Sequence, residues 1–341
     1  MKSIPLSLST SSLRENNMDA LRFIASIMVV LHHTAGTYLL NRASLFTTPS
    51  TFFISAFLDS ATRIGVPLFI MISGRFLIDQ TSRVSTFYLR RARRIIIPLI
   101  VWSIFYSLYK SFTHHHEISI FSVIRDVAYG TSYYHMWYLY MLTGLYIITP
   151  LIPIFTRRVQ MKSAMLGILL LIFGMVINLI LYNLNPHTEI FAFAQSILLS
   201  GYYIFGYGVS KIKLLKISTV LLIDVYSICI ILITLLRFIT QPQDNAYFSS
   251  FLSPFIILGS ISIYILASHM HTRGKIIPGL SPYTLGIYLF HPVALEYVNR
   301  FVRMPLEFAA IEIIITFFLT LIITLFVVMT ISKIPFLKYI I

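Results

Sequence analysis

Residues 21–40 read LRFIASIMVVLHHTAGTYLL, and this stretch indicates the class of protein to which the chain belongs. It is suited to a membrane-spanning helix, since about 20 mostly apolar residues cross the hydrocarbon core of a bilayer. The rest of the chain has the same character, because 57% of its 341 residues are apolar and 11% are charged. Soluble domains carry about 25% charged residues. The sequence therefore predicts a polytopic membrane protein and excludes disordered, fibrous and disulfide-scaffold proteins.

Further stretches of this kind predict an all-α, polytopic membrane helix bundle with about ten transmembrane helices. The predicted spans are 21–40, 52–78, 94–112, 136–155, 163–183, 190–209, 217–237, 247–268, 281–299 and 308–331. We expect a cytoplasmic N-terminal tail at 1–20, a single transmembrane domain at 21–331 and a cytoplasmic C-terminal tail at 332–341. The first helix is expected to be uncleaved, since no small-residue cleavage site follows it. Repeated halves and interrupted helices, which many transporters have, are not evident.

The net charge of +14 is explained by membrane topology, so it does not indicate a nucleic acid partner. With the N-terminus inside, 18 of the 26 basic residues fall on the cytoplasmic side and six fall in outer loops. This asymmetry follows the positive-inside rule and predicts that both termini are cytoplasmic. Arg63 and Arg75 are the remaining two, and both lie inside the second predicted helix.

The first predicted helix carries ionisable groups that a membrane does not readily accept. Arg22 and His33 are eleven residues apart, so both project from one face about 16 Å apart along the axis. Such groups are costly at membrane depth and usually line a cavity or pathway. We predict that Arg22 holds an anion at the cytoplasmic mouth and that His33 is a proton acceptor near the bilayer middle. His32 points about 100° away and is expected to be a bystander.

The second predicted helix places Arg63 within about one helical turn of the depth of His33. Asp59 lies one turn from Arg63 and is its natural ion-pair partner. Arg75 lies near the inner end of the same helix. There, a structural role in which its side chain snorkels to the lipid headgroups stays open.

Other candidate residues lie on the fourth and ninth predicted helices. His135 and Trp137 are at the outer end of the fourth helix, and Tyr288 and His291 are in the middle of the ninth. Aromatic belts are ordinary at membrane interfaces, and a lone buried histidine is more often a packing residue. Convergence of several of these His and Arg side chains on one cavity is the functional alternative.

An arginine cluster lies at the beginning of the third predicted helix and in the residues before it. Its members are Arg83, Arg90, Arg91, Arg93 and Arg94. Topology and lipid headgroups account for such a cluster, and so does a phosphate-rich ligand, since guanidinium groups bind phosphates through paired hydrogen bonds. The run His114–Glu117 lacks a defined ligand geometry, so we predict no metal site. Hydrolase and nucleotide-binding motifs are not found.

Four motifs in this order resemble the membrane-bound acyltransferase-3 family over essentially the whole chain. They are MDALRFIASIMVVLHH at 18–33 with the family's Arg-x10-His spacing, RIGVPLFIMISGRFL at 63–77, HMWYLYMLTGLYIITPLI at 135–152 and SPYTLGIYLFHP at 281–292. The chain resembles the compact bacterial inner-membrane O-acetyltransferases of surface polysaccharides, and most of all the enterobacterial common antigen type. The SGNH domain that is fused to some relatives is not expected here.

The resemblance implies an integral membrane O-acetyltransferase. It would move an acetyl group from cytoplasmic acetyl-CoA to a hydroxyl of a cell-surface glycan or its lipid-linked precursor. Acetyl-CoA is then a donor substrate, and no bound cofactor is expected. The other expected partners are the glycan acceptor, membrane lipids and glycan assembly proteins. The expected location is the bacterial inner membrane.

The same resemblance suggests roles for the candidate residues. His33 would deprotonate the hydroxyl, since imidazole titrates near neutral pH, although an acetyl-His intermediate stays open. Arg63 would stabilise the oxyanion or orient His33. The donor-binding residues would be Arg22, Arg75, Arg90, Arg93 and Arg94, and the acceptor-side residues would be His135, Trp137, Tyr288 and His291. The alternative function is a polysaccharide or small-molecule exporter, in which buried His and Arg form a path.

Overall fold

The structure, a computed structural model, is helical throughout, which confirms the all-α prediction for the residues that it describes. These residues are 10–41, 49–80, 83–114, 119–156, 160–184, 192–212, 217–240, 245–270, 274–305 and 308–341. The α-helices are α1 Thr10–Asn41, α2 Pro49–Thr62, α3 Gly65–Leu77, α4 Val84–Arg91, α5 Ile97–His114, α6 Ile120–Tyr129, α7 Trp137–Ile148, α8 Ile152–Thr156, α9 Gln160–Leu184, α10 Ala192–Lys211, α11 Thr219–Ile239, α12 Asn245–Phe248, α13 Pro254–His269, α14 Ile276–Gly279, α15 Thr284–Phe301 and α16 Ala309–Ser332.

Seven helical segments within the described ranges are long and apolar enough to cross a membrane, and three of them each join two consecutive α-helices. They run over Asn16–Leu39, Phe52–Leu77, Val84–Thr113, Trp137–Ile154, Ser163–Leu184, Thr219–Ile239 and Ala309–Ser332. The three other predicted spans correspond to α10, α13 and α15, and α13 has only 16 residues. The count of ten and the cytoplasmic placement of both termini therefore stay predictions.

The second predicted helix is interrupted at Arg63, whereas interrupted helices were not evident from the sequence. Helix α2 ends at Thr62 and α3 begins at Gly65. Pro67 explains the break, because it has no amide hydrogen to bond to the carbonyl of Arg63. Gly65 allows a close approach to α1, since a Cβ atom there would lie 3.0 Å from the carbonyl oxygen of Ala25. Arg63 thus occupies a turn between two half-helices.

The arginine-rich segment is part of a helix, although the sequence predicted that the helix begins at residue 94. Helix α4 begins at Val84 and continues through a π-helical turn at Ala92–Ile96 into α5. The arginines therefore have fixed helical positions. Single π-turns within α-helices are frequent at functional sites.

The chain forms two compact units. Unit 1 contains Met1–Phe69, Lys216–Gln241 and Phe255–Leu325. In unit 1, α1 packs against α2, α14 and α15, and α2 also packs against α11. Its apolar core includes Phe23, Val30, Ile287 and Phe317. These contacts position the side chains of the candidate active site.

Unit 2 contains Ile70–Leu215, Pro242–Pro254 and Phe326–Ile341. In this unit, α10 packs against both α7 and α9. Helices α3 and α10 approach each other closely at Gly74 and Gly206. A Cβ atom at either position would collide with the backbone of the other helix, so only glycine fits there. Small residues of this kind let membrane helices pack closely.

Candidate active site

A buried ion cluster in unit 1 is centred on Asp59, whose side chain is 1% exposed. Arg63, one turn later on α2, donates from Nε to Oδ2 at 2.8 Å. Arg237 of α11 donates to the same oxygen. His32 of α1 lies on the other side, with Nδ1 2.9 Å from Oδ1. A buried carboxylate requires such partners because it has lost its hydration.

A row of imidazole rings extends from this cluster to α15. The ring centroids of His32 and His33 are 5.1 Å apart. Those of His33 and His291 are also 5.1 Å apart, and the ring of Tyr288 lies 6.2 Å from that of His291. His33 therefore lies between one histidine that contacts a carboxylate and another that belongs to α15. It is half-buried, whereas His291 is fully buried.

The orientation of His291 follows from the proline that comes after it. Pro292 has no amide hydrogen, so the carbonyl of Tyr288 loses the partner that it would have in a regular helix. His291 supplies a donor instead, with Nδ1 2.8 Å from that carbonyl and 3.0 Å from the carbonyl of Ile287. Because a carbonyl oxygen only accepts, Nδ1 carries a proton.

Arg22 has polar contacts near the beginning of the transmembrane part of α1. Its guanidinium donates to Asp19 at 2.8 Å and to Ser281 at 3.2 Å, and Ser281 also donates to Asp19 at 3.0 Å. Ser281 begins the SPYTLG segment, so this triad joins α1 to the residues that precede α15. Arg22 remains 25% exposed, which leaves part of the cationic group accessible.

The other arginines predicted to bind the donor belong to unit 2. Arg90, Arg93 and Arg94 are exposed, and Arg75 is partly buried. Arg91 was part of the predicted cluster but not of the donor-binding set, and this residue is partly buried. Its guanidinium carbon lies 5.7 Å from the ring of Phe87 and 5.9 Å from that of Tyr146. The sequence showed that Arg91 belongs to the cluster. Helical phase alone did not show which of the clustered arginines faces inward.

His135 and Trp137 also belong to unit 2. His135 is 1% exposed, and its ring lies 4.8 Å from that of Tyr106 and 5.7 Å from that of Tyr133. Trp137 is partly buried, and its ring lies 5.5 Å from that of Phe251. In unit 1, by contrast, the structure places His33 beside His291 and joins Arg63 to His32 through Asp59.

Two residues of the ion cluster were not predicted to belong to the site. His32 was expected to be a bystander, and its contact with Asp59 corrects that interpretation. Arg237 was assigned to the outer loops, but it lies in the last turn of α11 and is 8% exposed. For Arg237, the sequence offered one indication, which is a single cation at the end of a largely apolar run. The side chains of the run His114–Glu117 lie outside the described residues.

Comparison with known proteins identifies one family. A family model described as an acyltransferase domain matches residues 15–333, a range that includes the ion cluster and the row of imidazoles. No curated protein and no solved structure matches the chain.

Proposed function

The chain belongs to the acyltransferase-3 family, and from this membership we propose that it is a membrane O-acetyltransferase that uses acetyl-CoA to modify a cell-surface glycan or its lipid-linked precursor. Its apolar helices and its family make it a multi-pass membrane acyltransferase. The acetyl donor, the glycan acceptor and the bacterial inner membrane belong to the proposal. The position of His33 between His32 and His291, beside a buried ion cluster, is the observation that carries it.

In the proposed reaction His33 acts as a general base. Its imidazole accepts the proton of the acceptor hydroxyl as the oxygen attacks the thioester carbonyl of acetyl-CoA. The resulting tetrahedral oxyanion collapses, and the carbon–sulfur bond breaks. The imidazolium then returns its proton to the CoA thiolate. An ester and a free thiol are the products, so no further reactant is required.

A covalent route uses the same residue as the nucleophile. His33 attacks the thioester, releases CoA and holds the acetyl group until the acceptor hydroxyl removes it. The two routes differ in the order of events. Rapid release of one CoA per protein without acceptor supports the covalent route, whereas dependence of CoA release on acceptor supports the general base.

The ion cluster supports the electrostatic part of this chemistry. Asp59 engages Nε of Arg63, which restricts the plane of the guanidinium. We propose that Arg63 stabilises the developing oxyanion or orients the base, because a positioned cation in a water-poor site is effective in both tasks. Its location in the break between α2 and α3 is consistent with this role, since irregular backbone at membrane depth is tolerated where it lines a cavity.

Further residues would bind the two substrates. We propose that Arg22 of unit 1 contacts the phosphates of acetyl-CoA. Donor binding by Arg75, Arg90, Arg93 and Arg94, which belong to unit 2, stays a separate prediction. On the acceptor side we propose Tyr288 and His291 of unit 1, since aromatic faces suit sugar rings. Acceptor roles for His135 and Trp137, which belong to unit 2, stay a separate prediction. Acceptors of the enterobacterial common antigen type are the first to examine.

Arg22→Ala is expected to weaken use of the donor more than it affects the chemical step. Loss of a charged hydrogen bond to phosphate should raise the KM for acetyl-CoA about tenfold or more, with a smaller change in kcat. Steady-state kinetics at varied acetyl-CoA concentration provide the measurement. Arg300→Ala is the matched control, because Arg300 is exposed on the same unit. An unchanged KM would remove Arg22 from the donor site.

An exporter is the second candidate, and the interrupted α2–α3 helix favours it, because broken helices are common in transporters. Incubation of the purified protein with labelled acetyl-CoA and envelope glycan separates the two functions. The proposed function requires label in the glycan. Absence of transfer to any envelope glycan would favour export. The acetyl content of the glycans in a deletion strain, measured by mass, identifies the acceptor.

A further inference from the structure

We propose that Arg237, together with Arg63, binds an anionic group, a carboxylate or a phosphate, that the acceptor carries. The identification of the bound molecule as the acceptor rests on the proposed function. The anion site itself rests on the ion cluster in unit 1.

The hydrogen bonds of Arg237 favour an anion. This residue is 8% exposed within the apolar helix α11. One of its terminal nitrogens donates to Asp59. Its Nε is fully buried and has no acceptor in the part of the chain that the structure describes. A buried N–H group without an acceptor is costly, and more so when it belongs to a charged side chain. This N–H group is therefore a donor of the ion cluster that a ligand oxygen would satisfy.

The charges of the cluster also favour an anion. Arg63 and Arg237 share Asp59, so these three residues carry one net positive charge. Net charge at membrane depth is unfavourable unless a counter-ion is present. Arginine suits this task, since its planar fork matches the geometry of carboxylate and phosphate oxygens.

The cluster is accessible as well as charged. The side chains of His32 and Arg63 are 18% and 19% exposed, whereas that of Asp59 is 1% exposed. The carboxylate is thus enclosed, whereas the side chains of His32 and Arg63 are partly exposed. An anion can approach His32 and Arg63 without displacing Asp59.

His32 connects the ion cluster to the proposed base. His32 contacts the cluster, and its ring centroid is 5.1 Å from that of His33. In the proposed complex, a sugar that carries both an anionic group and the reacting hydroxyl places the anionic group at the ion cluster and the hydroxyl at His33. Binding of the anion would set the orientation in which the hydroxyl reaches the base.

A binding experiment with the purified full-length protein tests the site without acyl transfer. The probes are methyl α-D-glucuronoside, inorganic phosphate and neutral methyl α-D-glucoside, and the readout is the ligand-induced rise in the unfolding temperature. We expect saturable stabilisation by an anionic probe and none by the neutral glucoside. A stronger response to the glucuronoside indicates a sugar carboxylate, whereas a stronger response to phosphate indicates a phosphate on the lipid-linked precursor.

Arg237→Gln should weaken binding of the preferred anion about tenfold or more. Arg303→Gln is the matched control, since Arg303 is exposed in the same unit and should leave binding unchanged. Arg237→Lys provides a second measure if the glutamine variant does not fold. It keeps the charge but lacks the fork, so it should still weaken binding.

Equal responses to the anionic and neutral probes would overturn the proposal. So would unaltered anion binding in the Arg237 variants. Anion binding that depends on Arg237 without any acyl transfer would retain the site and reject the proposed enzymatic function. Acyl transfer with no anion binding would reject the anion site alone.

Discussion

His33→Ala is expected to abolish acyl transfer while the protein still inserts and folds. Loss of a positioned general base lowers rates by about 100-fold to 10,000-fold, and loss of a covalent nucleophile should have at least as large an effect. Both routes proposed for this residue therefore predict the same outcome. The measurement is transfer of labelled acetyl groups from acetyl-CoA to envelope glycan, with size-exclusion elution as the check on folding.

His269→Ala is the matched control for this experiment. His269 lies at the end of α13 in the same unit and is only partly buried. It is expected to keep full activity. Normal acetylation by the His33 variant would reject the assignment of this residue as base or nucleophile. Loss of activity in both variants would indicate a general sensitivity to histidine replacement.

Asp59→Asn is expected to reduce both stability and activity. Removal of the carboxylate charge leaves Arg63 and Arg237 buried against a neutral amide, and breaking a buried ion pair costs about 3–5 kcal/mol. The same change loosens Arg63 and the contact with His32. The unfolding temperature of the purified protein and its transferase activity are the two measurements. Both should fall.

A double variant distinguishes the ion cluster from simple damage to packing. Asp59→Asn combined with Arg237→Met removes one charge of each sign, so it should be less destabilised than the sum of the two single changes. Asp224→Asn is the control, because Asp224 is exposed on α11. Additive effects in the double variant would show that Asp59 and Arg237 do not stabilise each other.

The pair Asp59–Arg63 and the row of histidines show how far the sequence could predict the site. Spacing of four residues on one helix predicted the pair, and the structure has it at 2.8 Å. The neighbouring histidines, by contrast, were interpreted by helical phase alone. That phase separated His32 from His33 and suggested that His32 had no role. Its contact with Asp59 depends on the packing of α1 against α2, which phase does not describe.

Arg237 and Pro67 show a second limit of prediction from the sequence. A cation near the end of an apolar helix is ordinarily explained by snorkelling to the interface, so its sequence position did not indicate burial. Pro67 was visible in the sequence, but proline is tolerated within membrane helices, and the break at Arg63 was not predicted. Only the structure decided between a kink and an interruption.

The sequence by itself determined the membrane class, the helical fold and the pairing of residues within one helix. Composition and local spacing are sufficient for these properties, since the bilayer requires apolar helices of a certain length and a helix has a constant rise and rotation. The tertiary structure alone decided that Asp59 joins α1, α2 and α11, and that His33 lies between His32 and His291. These contacts join residues that are far apart in the chain, so they depend on which helices pack together and on the rotation of each helix about its axis.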